Sequence, residues 1–188
     1  WKCVSSLCHK SYVLETAAQK CGVSVENLGV KHAPLPTGVV PRVPAHNSVG
    51  TPDAASPCGG GSGPMDKAKI RHWLLDTSMN VYYDRANEHY TEGGQRWSGT
   101  SGHVCPPHAP PYSDCSSTVT WIYWTLFGNG PDFMNGENWS AGYTGTLDQH
   151  GSPIGANTND LAIGDLCFYY HPMHHVAIYV GGGKVVSH

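Results

Sequence analysis

A cysteine at position 115 lies where a polar stretch meets an apolar run, in the sequence PYSDCSSTVTWIYW over residues 111–124. The run has apolar side chains at helical spacing, at Val119, Ile122, Tyr123 and Leu126. This spacing predicts a helix over 116–127, ended by the glycine and proline residues that follow. Cys115 would then lie at the helix N-terminus, where the macrodipole and free N–H groups favour thiolate over thiol. We therefore expect a nucleophile there rather than a cysteine that only packs in the core.

A thiol nucleophile needs a base, and the stretch HHVAIYVGGGKVVSH over residues 174–188 offers one. Alternation along a strand places His175, Ala177 and Tyr179 on one face, and three branched apolar residues on the other. The small Ala177 leaves room for a helix end to approach His175. We predict that His175 is the base that activates the cysteine.

A third polar group should orient the imidazole, and the turn of the last hairpin decides which residue supplies it. A two-residue turn at Gly182 and Gly183, which Gly-Gly favours, pairs Val180 with Val185 and Ala177 with His188. His188 then lies within side-chain reach of His175. A three-residue turn would present Ser187 on that face instead. We favour His188 and keep Ser187 as the alternative.

These residues resemble the motifs of the NlpC/P60 family of papain-like cysteine peptidases, which cleave peptidoglycan stem peptides. The matching stretches are SDCSSTVTWIYW and IGDLCFYYHPMHHVAIYVGGGKVVSH, and the resemblance covers about residues 65–188. It implies a catalytic set of Cys115, His175 and His188. The family also has a Tyr-x-x-Gly-Gly motif whose tyrosine lines the substrate site, and YTEGG supplies Tyr90 here.

The start of the predicted helix supplies two further candidates for substrate binding, Asp114 and Ser116. Asp114 is also well suited to cap the helix by accepting backbone N–H bonds. By the resemblance, His175 activates Cys115 for attack on a peptide carbonyl, His188 holds the ring, and backbone N–H groups stabilise the oxyanion.

The resemblance implies a hydrolase that acts at the bacterial cell wall, with peptidoglycan stem peptides as its partner. The proline-rich loop from Trp97 to Tyr112 is more like those of bacteriophage lysins, so we expect a lysin of that type. Two alternatives stay open. One is a related CHAP-type amidase that cuts between sugar and peptide, and the other is a non-catalytic wall-binding or virion structural module.

The elements that must position these residues form an α+β pattern. A helix is predicted over 65–79, then the helix that follows Cys115, then a long polar loop over 128–160. Three strand-like runs end the sequence, AIGDLCFYY, HHVAIYV and KVVSH, and predict an antiparallel meander. The whole is expected to be a papain-like fold whose cysteine helix packs on an antiparallel sheet.

Composition divides the chain before this region. Residues 1–31 are predicted to be a small N-terminal remnant of an upstream domain or a wall-binding-like segment. They have a weak similarity to part of a LysM repeat. Residues 32–64, rich in Pro, Gly and Ser, predict a linker. Residues 65–188 form the predicted catalytic domain. The chain begins with Trp and stops on a predicted strand, so we expect a fragment without its last strands.

Composition also excludes several classes of partner. A formal net charge of -3 without basic runs argues against nucleic acid. No stretch approaches the ~18 apolar residues of a membrane helix, and no signal peptide is visible. We expect a monomer.

A metal site was the remaining alternative, because His171, His174 and His175 lie near Cys167. Adjacent strand residues point to opposite faces, so His174 and His175 do not converge on one ion. We therefore predict no metal and no cofactor. Cys167 is predicted to be structural, and the seven cysteines leave at least one thiol outside any intrachain disulfide.

Overall fold

The computed structural model describes residues 56–59, 67–130, 132–136, 138–150, 161–170 and 172–188. The predicted N-terminal segment 1–31, most of the predicted linker 32–64 and His171 lie outside these residues. The architecture is α+β, with helices packed against a small antiparallel three-stranded sheet.

Helix α1, Lys67–Asp84, is five residues longer at its C-terminal end than the sequence predicted. Beyond the predicted end, Val81 is buried and Tyr82 packs against the core, so the apolar side of the helix continues. Leu74 near its middle is fully buried. The helix thus supplies one wall of the core behind the candidate site.

Helix α3, Cys115–Phe127, confirms the predicted element and begins at the cysteine. Its N-cap, Asp114, accepts a hydrogen bond from the Ser117 N–H at 2.6 Å, and the Ser117 hydroxyl accepts one from the Asp114 N–H at 2.8 Å. This reciprocal capping box satisfies helix-end donors and marks where the helix starts. All residues of α3 from Cys115 to Leu126 are buried, so the helix runs through the centre of the domain.

Short elements join α1 to α3 and bring Tyr90 towards the cysteine. Strand β1, His89–Tyr90, pairs in parallel with strand β2, Tyr112–Ser113, so that Tyr90 lies opposite Ser113. A 3-10 turn, Gly94–Trp97, and a four-residue helix α2, Ser98–Ser101, lie between them. Because β2 ends directly before Asp114, this pairing places Tyr90 beside the start of α3.

The predicted long loop over 128–160 contains a helix that the sequence analysis missed, α4, Thr144–His150. Only Thr144 and Leu147 of this helix are described as buried. Seven residues with two buried positions carry too little apolar periodicity to be recognised among glycines and polar residues.

The sheet has the strand order β3–β4–β5, with β3 at Leu166–Tyr169, β4 at His175–Gly181 and β5 at Lys184–Val186. Both pairings are antiparallel, as the meander predicted. The predicted alternation along β4 also holds in part, because Val176, Ile178 and Val180 all belong to the core cluster.

The predicted register of the last hairpin is wrong. Gly181 pairs with Lys184 around a two-residue turn at Gly182 and Gly183, both with positive φ, as expected for Gly-Gly. However, a bulge between Tyr179 and Gly181 adds one residue to β4, so Tyr179 rather than Val180 pairs with Val185. The shift of one residue moves His188 out of the place predicted for it and brings Ser187 into that place.

Residues 56–59 of the predicted linker are fixed to the domain. Cys58 forms a disulfide with Cys105 in the loop before β2, and the Ser56 hydroxyl donates to the carbonyl of Thr125 at 2.6 Å. Among the described cysteines, Cys115 and Cys167 are free. In the part of the chain that the structure describes, no helix is long and apolar enough to span a membrane.

Candidate active site

The sulfur of Cys115 lies among hydrogen-bonding groups at the start of α3, and the residue is 6% exposed. Thr144 Oγ1 is 3.6 Å from Sγ. The backbone N–H groups of Val176 and Ser116 lie close enough to the sulfur to favour its charged form. Val176 follows His175 in β4, so the strand that carries the predicted base runs directly beside the thiol.

The N–H groups at the helix start favour the Cys115 thiolate, as expected, but they do not give the thiol a low pKa. Burial is the largest effect and raises the pKa above its ordinary value, and the negative Asp114 adds to it. The Thr144 hydroxyl and the N–H groups of Val176 and Ser116 act in the opposite direction without cancelling burial. The resting group is therefore a thiol, and it needs a base to become a nucleophile.

His175, the predicted base, begins β4. Burial lowers its pKa to about 4, with a smaller contribution from the neighbouring His174. The imidazole is therefore neutral at neutral pH and free to accept a proton. Its ring lies 5.4 Å from the Tyr169 ring, centroid to centroid, on the paired strand β3.

The hydroxyl beside the His175 ring belongs to Ser187. Its Oγ is 3.4 Å from His175 Nε2 and donates to the carbonyl of Val176 at 2.8 Å. Because the Ser187 hydroxyl donates its proton to the Val176 carbonyl, Oγ can act only as an acceptor towards His175, from an Nε2–H. This arrangement favours the tautomer in which Nδ1 is unprotonated.

His188, the residue predicted to orient His175, is engaged elsewhere. Its Nδ1 is hydrogen-bonded to the Ser113 hydroxyl and lies 3.7 Å from Glu88 Oε2. Its ring meets the Tyr90 ring edge to face at 5.6 Å. The structure thus brings Cys115, the strand of His175, and Ser187 together, and places His188 in a second cluster with Tyr90.

Tyr90 has the exposure that a substrate-contacting residue needs. It is 51% exposed, and its hydroxyl donates to Glu92 at 3.1 Å. Partial burial, the bond to Glu92 and the nearby Cys115 all raise its pKa, so the phenol stays protonated. An exposed aromatic side chain close to the thiol is available to contact a bound chain.

Asp114 and Ser116 have internal partners instead of exposed surfaces. The Asp114 carboxylate accepts from the Ser117 N–H, from Arg96 at 2.6 Å and from the Ser116 hydroxyl at 2.9 Å. Burial raises the pKa of Asp114, but these bonds outweigh it and hold the pKa below its ordinary value. Both side chains are buried. The capping role of Asp114 is confirmed, and the substrate role of both residues stays a prediction.

Sequence reasoning missed several residues around the thiol and around His188: Arg96 and Thr144 near the thiol, and Glu88 and Ser113 near His188. Glu88 has a side chain that is 3% exposed, with no hydrogen-bond partner for Oε1 among the described residues. Burial and the nearby Asp84 raise its pKa to about 8. No local pattern marks these residues, because each meets its partner across many positions of the chain.

Among the described residues, no group of three His, Cys, Asp or Glu side chains could hold a metal ion.

Comparisons of the chain with family models, with curated proteins and with solved structures found no match.

Proposed function

We propose that this protein is a cysteine peptidase whose nucleophile is Cys115 and whose base is His175. The observation that carries the proposal is the thiol at the start of α3, beside the β4 strand that begins with His175 and close enough to the Val176 N–H for that group to favour its charged form. A helix N-terminus and an adjacent histidine are the environment that nucleophilic thiols require.

Activation proceeds from a neutral pair. Burial raises the pKa of the thiol and lowers that of the imidazole to about 4, so an ion pair is disfavoured in the free protein. His175 acts as a general base, taking the thiol proton as the sulfur attacks a carbonyl carbon. Ser187 accepts from the Nε2–H and leaves Nδ1 as the proton acceptor.

The reaction then follows the acyl-enzyme course of thiol peptidases. The carbonyl oxygen becomes an oxyanion, which backbone N–H groups at the start of α3 stabilise by roughly 3 kcal/mol per donor. His175 returns its proton to the leaving amine, and a thioester to Cys115 remains. Water attacks the thioester, with His175 again accepting a proton, and releases the acid and the free thiol.

The substrate class rests on the resemblance to the NlpC/P60 family and its papain-like fold. Four motifs occur in the family order: Tyr-Thr-Glu-Gly-Gly before the cysteine, Asp-Cys-Ser at the helix start, Gly-Asp-Leu at the start of β3 and His-Val-Ala-Ile-Tyr in β4. The position of Tyr90 near the thiol supports this assignment. We propose that the bond cut is an amide of the peptidoglycan stem peptide, and that the protein is a lysin of bacteriophage type.

Digestion of purified peptidoglycan by wild type and by Cys115→Ala, with products read by mass spectrometry, tests the proposal. We expect stem-peptide fragments from wild type alone. Products cut between sugar and peptide would indicate the amidase alternative. Equal release by both proteins would remove Cys115 from the reaction. Release by neither, from protein with native circular dichroism, would favour a binding module.

A further inference from the structure

One side-chain hydroxyl within hydrogen-bonding distance of the Cys115 sulfur comes from a part of the chain far in sequence from both the helix and the strand. Thr144 Oγ1 is 3.6 Å from Sγ, and both residues are buried. Thr144 is the first residue of α4. A hydroxyl at this distance has the geometry of a donor to sulfur, because bonds to sulfur are longer than those to oxygen.

The segment before α4 is packed closely enough to fix this hydroxyl. The buried Asn135 donates through Nδ2 to the carbonyl of Ala141 at 2.6 Å. Gly142 has φ +85°, and a Cβ there would lie 2.6 Å from Asn135 Nδ2. Tyr143 N–H donates to Thr146 Oγ1 at 2.9 Å, which closes the first turn of α4. Thr144 is therefore held in place by hydrogen bonds on either side of it, at Ala141 and between Tyr143 and Thr146.

Arg96 joins this segment to the start of α3. One guanidinium nitrogen, Nη1, bonds to Asp114 Oδ2 at 2.6 Å, and the other, Nη2, donates to the carbonyl of Gly142 at 2.8 Å. Asp114 precedes the nucleophile, and Gly142 lies two residues before Thr144. The planar guanidinium spans both partners at once, which a lysine ammonium does less well.

We propose that Thr144 is a further catalytic residue whose hydroxyl donates a hydrogen bond to the Cys115 sulfur, and that Arg96 is a positioning residue that holds it there. The proposal rests on the proposed function, because it concerns the reactivity of the same thiol. It assigns a reaction role to a segment that carries no recognised motif.

The bond matters most when the sulfur is charged. As His175 removes the proton, negative charge develops on sulfur in a buried site. The N–H groups of Val176 and Ser116 then share it with the Thr144 hydroxyl. Hydrogen bonds to a charged group are stronger than those between neutral groups, so the thiolate gains more than the thiol. Thr144 donates without losing its proton, and the covalent steps stay those of Cys115 and His175.

The test is the pH dependence of Cys115 alkylation by iodoacetamide in wild type, Thr144→Val and Thr144→Ser. Peptide mass spectrometry reads the Cys115 peptide alone, so other cysteines do not interfere. Valine keeps the shape of threonine without the hydroxyl. We expect its alkylation midpoint to move to higher pH by about one unit, the size of one charge-assisted bond, and serine to restore the wild-type midpoint. Wild-type and valine midpoints that coincide would overturn the proposal.

Arg96→Lys and the double variant Arg96→Lys/Thr144→Val test the positioning role. Lysine can keep a charge beside Asp114 but is not expected to reach Gly142 as well. We expect Arg96→Lys to shift the midpoint in the direction of Thr144→Val, and the double variant to shift it no further than Thr144→Val. Additive shifts, or a wild-type midpoint for Arg96→Lys, would remove Arg96 from this role.

Alkylation needs no cell-wall substrate, which separates the two proposals. Normal peptidoglycan cleavage with an unchanged Thr144→Val midpoint would contradict only the role of Thr144. A shifted midpoint in a protein that releases no wall fragments would contradict only the proposed function.

Discussion

The imidazole of His175 has two ring nitrogens, and its hydroxyl neighbour decides which of them can take a proton. Ser187 gives its own proton to the Val176 carbonyl and so offers His175 Nε2 an acceptor. This fixes a tautomer without placing a second charge beside the ring. Burial keeps the ring neutral down to about pH 4. Orientation by a neutral hydroxyl suits a base that must rest uncharged.

Ser187→Ala should therefore slow stem-peptide cleavage about fivefold, because one hydrogen bond contributes about 1 kcal/mol and about 1.36 kcal/mol corresponds to tenfold in rate. His188→Ala is the matched comparison and should affect kcat less, since His188 contacts Ser113 and Tyr90 rather than His175. Initial rates between pH 4 and pH 8 measure the effects of both substitutions.

In wild type, kcat/KM should fall in acid only near pH 4, where His175 gains a proton.

A larger loss of cleavage rate in His188→Ala than in Ser187→Ala would contradict this assignment. It would return His188 to the role first inferred from the two-residue turn. An acid limit near pH 6.5 would contradict the low pKa of His175.

Individual residues could be predicted only where a local pattern defines them. Cys115 follows from its place before an apolar run, and His175 from strand alternation. Thr144 and Arg96 act through contacts with positions 29 and 18 residues away along the chain. Nothing in their immediate neighbours encodes such contacts. The raised pKa of Cys115 was missed for a related reason, because burial depends on what packs over the helix end.

Helix α3 and its cap form the element on which the site depends. Asp114 accepts the Ser117 N–H, and the same carboxylate bonds to Arg96, so one side chain fixes both the helix start and the bridge to Gly142. Because the cap lies directly before Cys115, a change in it should affect both stability and thiol position.

Asp114→Ala should lower the free energy of unfolding by about 1–3 kcal/mol, through loss of the cap and of the partner of Arg96. Asp114→Asn is the matched control, since asparagine also caps helices but carries no charge. We expect it to lose less. Urea unfolding of the three proteins at pH 7 measures these differences.

The pH dependence of this effect has a defined sign. The folded pKa of Asp114 lies below its ordinary value, so its charge stabilises the fold above about pH 4 and the benefit is lost as pH falls through the folded pKa. Wild type and Asp114→Asn should therefore converge in stability in strong acid. Equal stability of all three proteins at pH 7 would contradict the capping role.

At the scale of elements, long periodic segments were predictable and short irregular ones were not. Helix α3 and the three strands of the meander follow from apolar period and turn residues. Helix α4 was missed because it is one short, polar element in a glycine-rich stretch. The bulge in β4 cannot be recognised from the glycines at 181–183. It shifts the register of the hairpin by one residue, so Ser187 lies where His188 was predicted.

The molecule as a whole builds its site from three separated parts of the chain. Strand β4 supplies His175 and the chain directly after β5 supplies Ser187, helix α3 supplies Cys115, and the first residue of α4 is Thr144. The Cys58–Cys105 disulfide joins two cysteines 47 positions apart in the sequence and holds residues 56–59 against the domain. The α+β class follows from the order of elements in the sequence, whereas the convergence of these parts depends on packing.

The most direct measurement is the rate of stem-peptide cleavage by wild type, Cys115→Ala, His175→Ala and the double variant, all shown to be folded. If thiol and imidazole act as one unit, each single change should lower kcat by at least about 10³-fold, and the double variant should be no slower than the slower single variant. A His175→Ala protein that cleaves at close to the wild-type rate while Cys115→Ala is inactive would contradict the account, because the thiol would then act without this base.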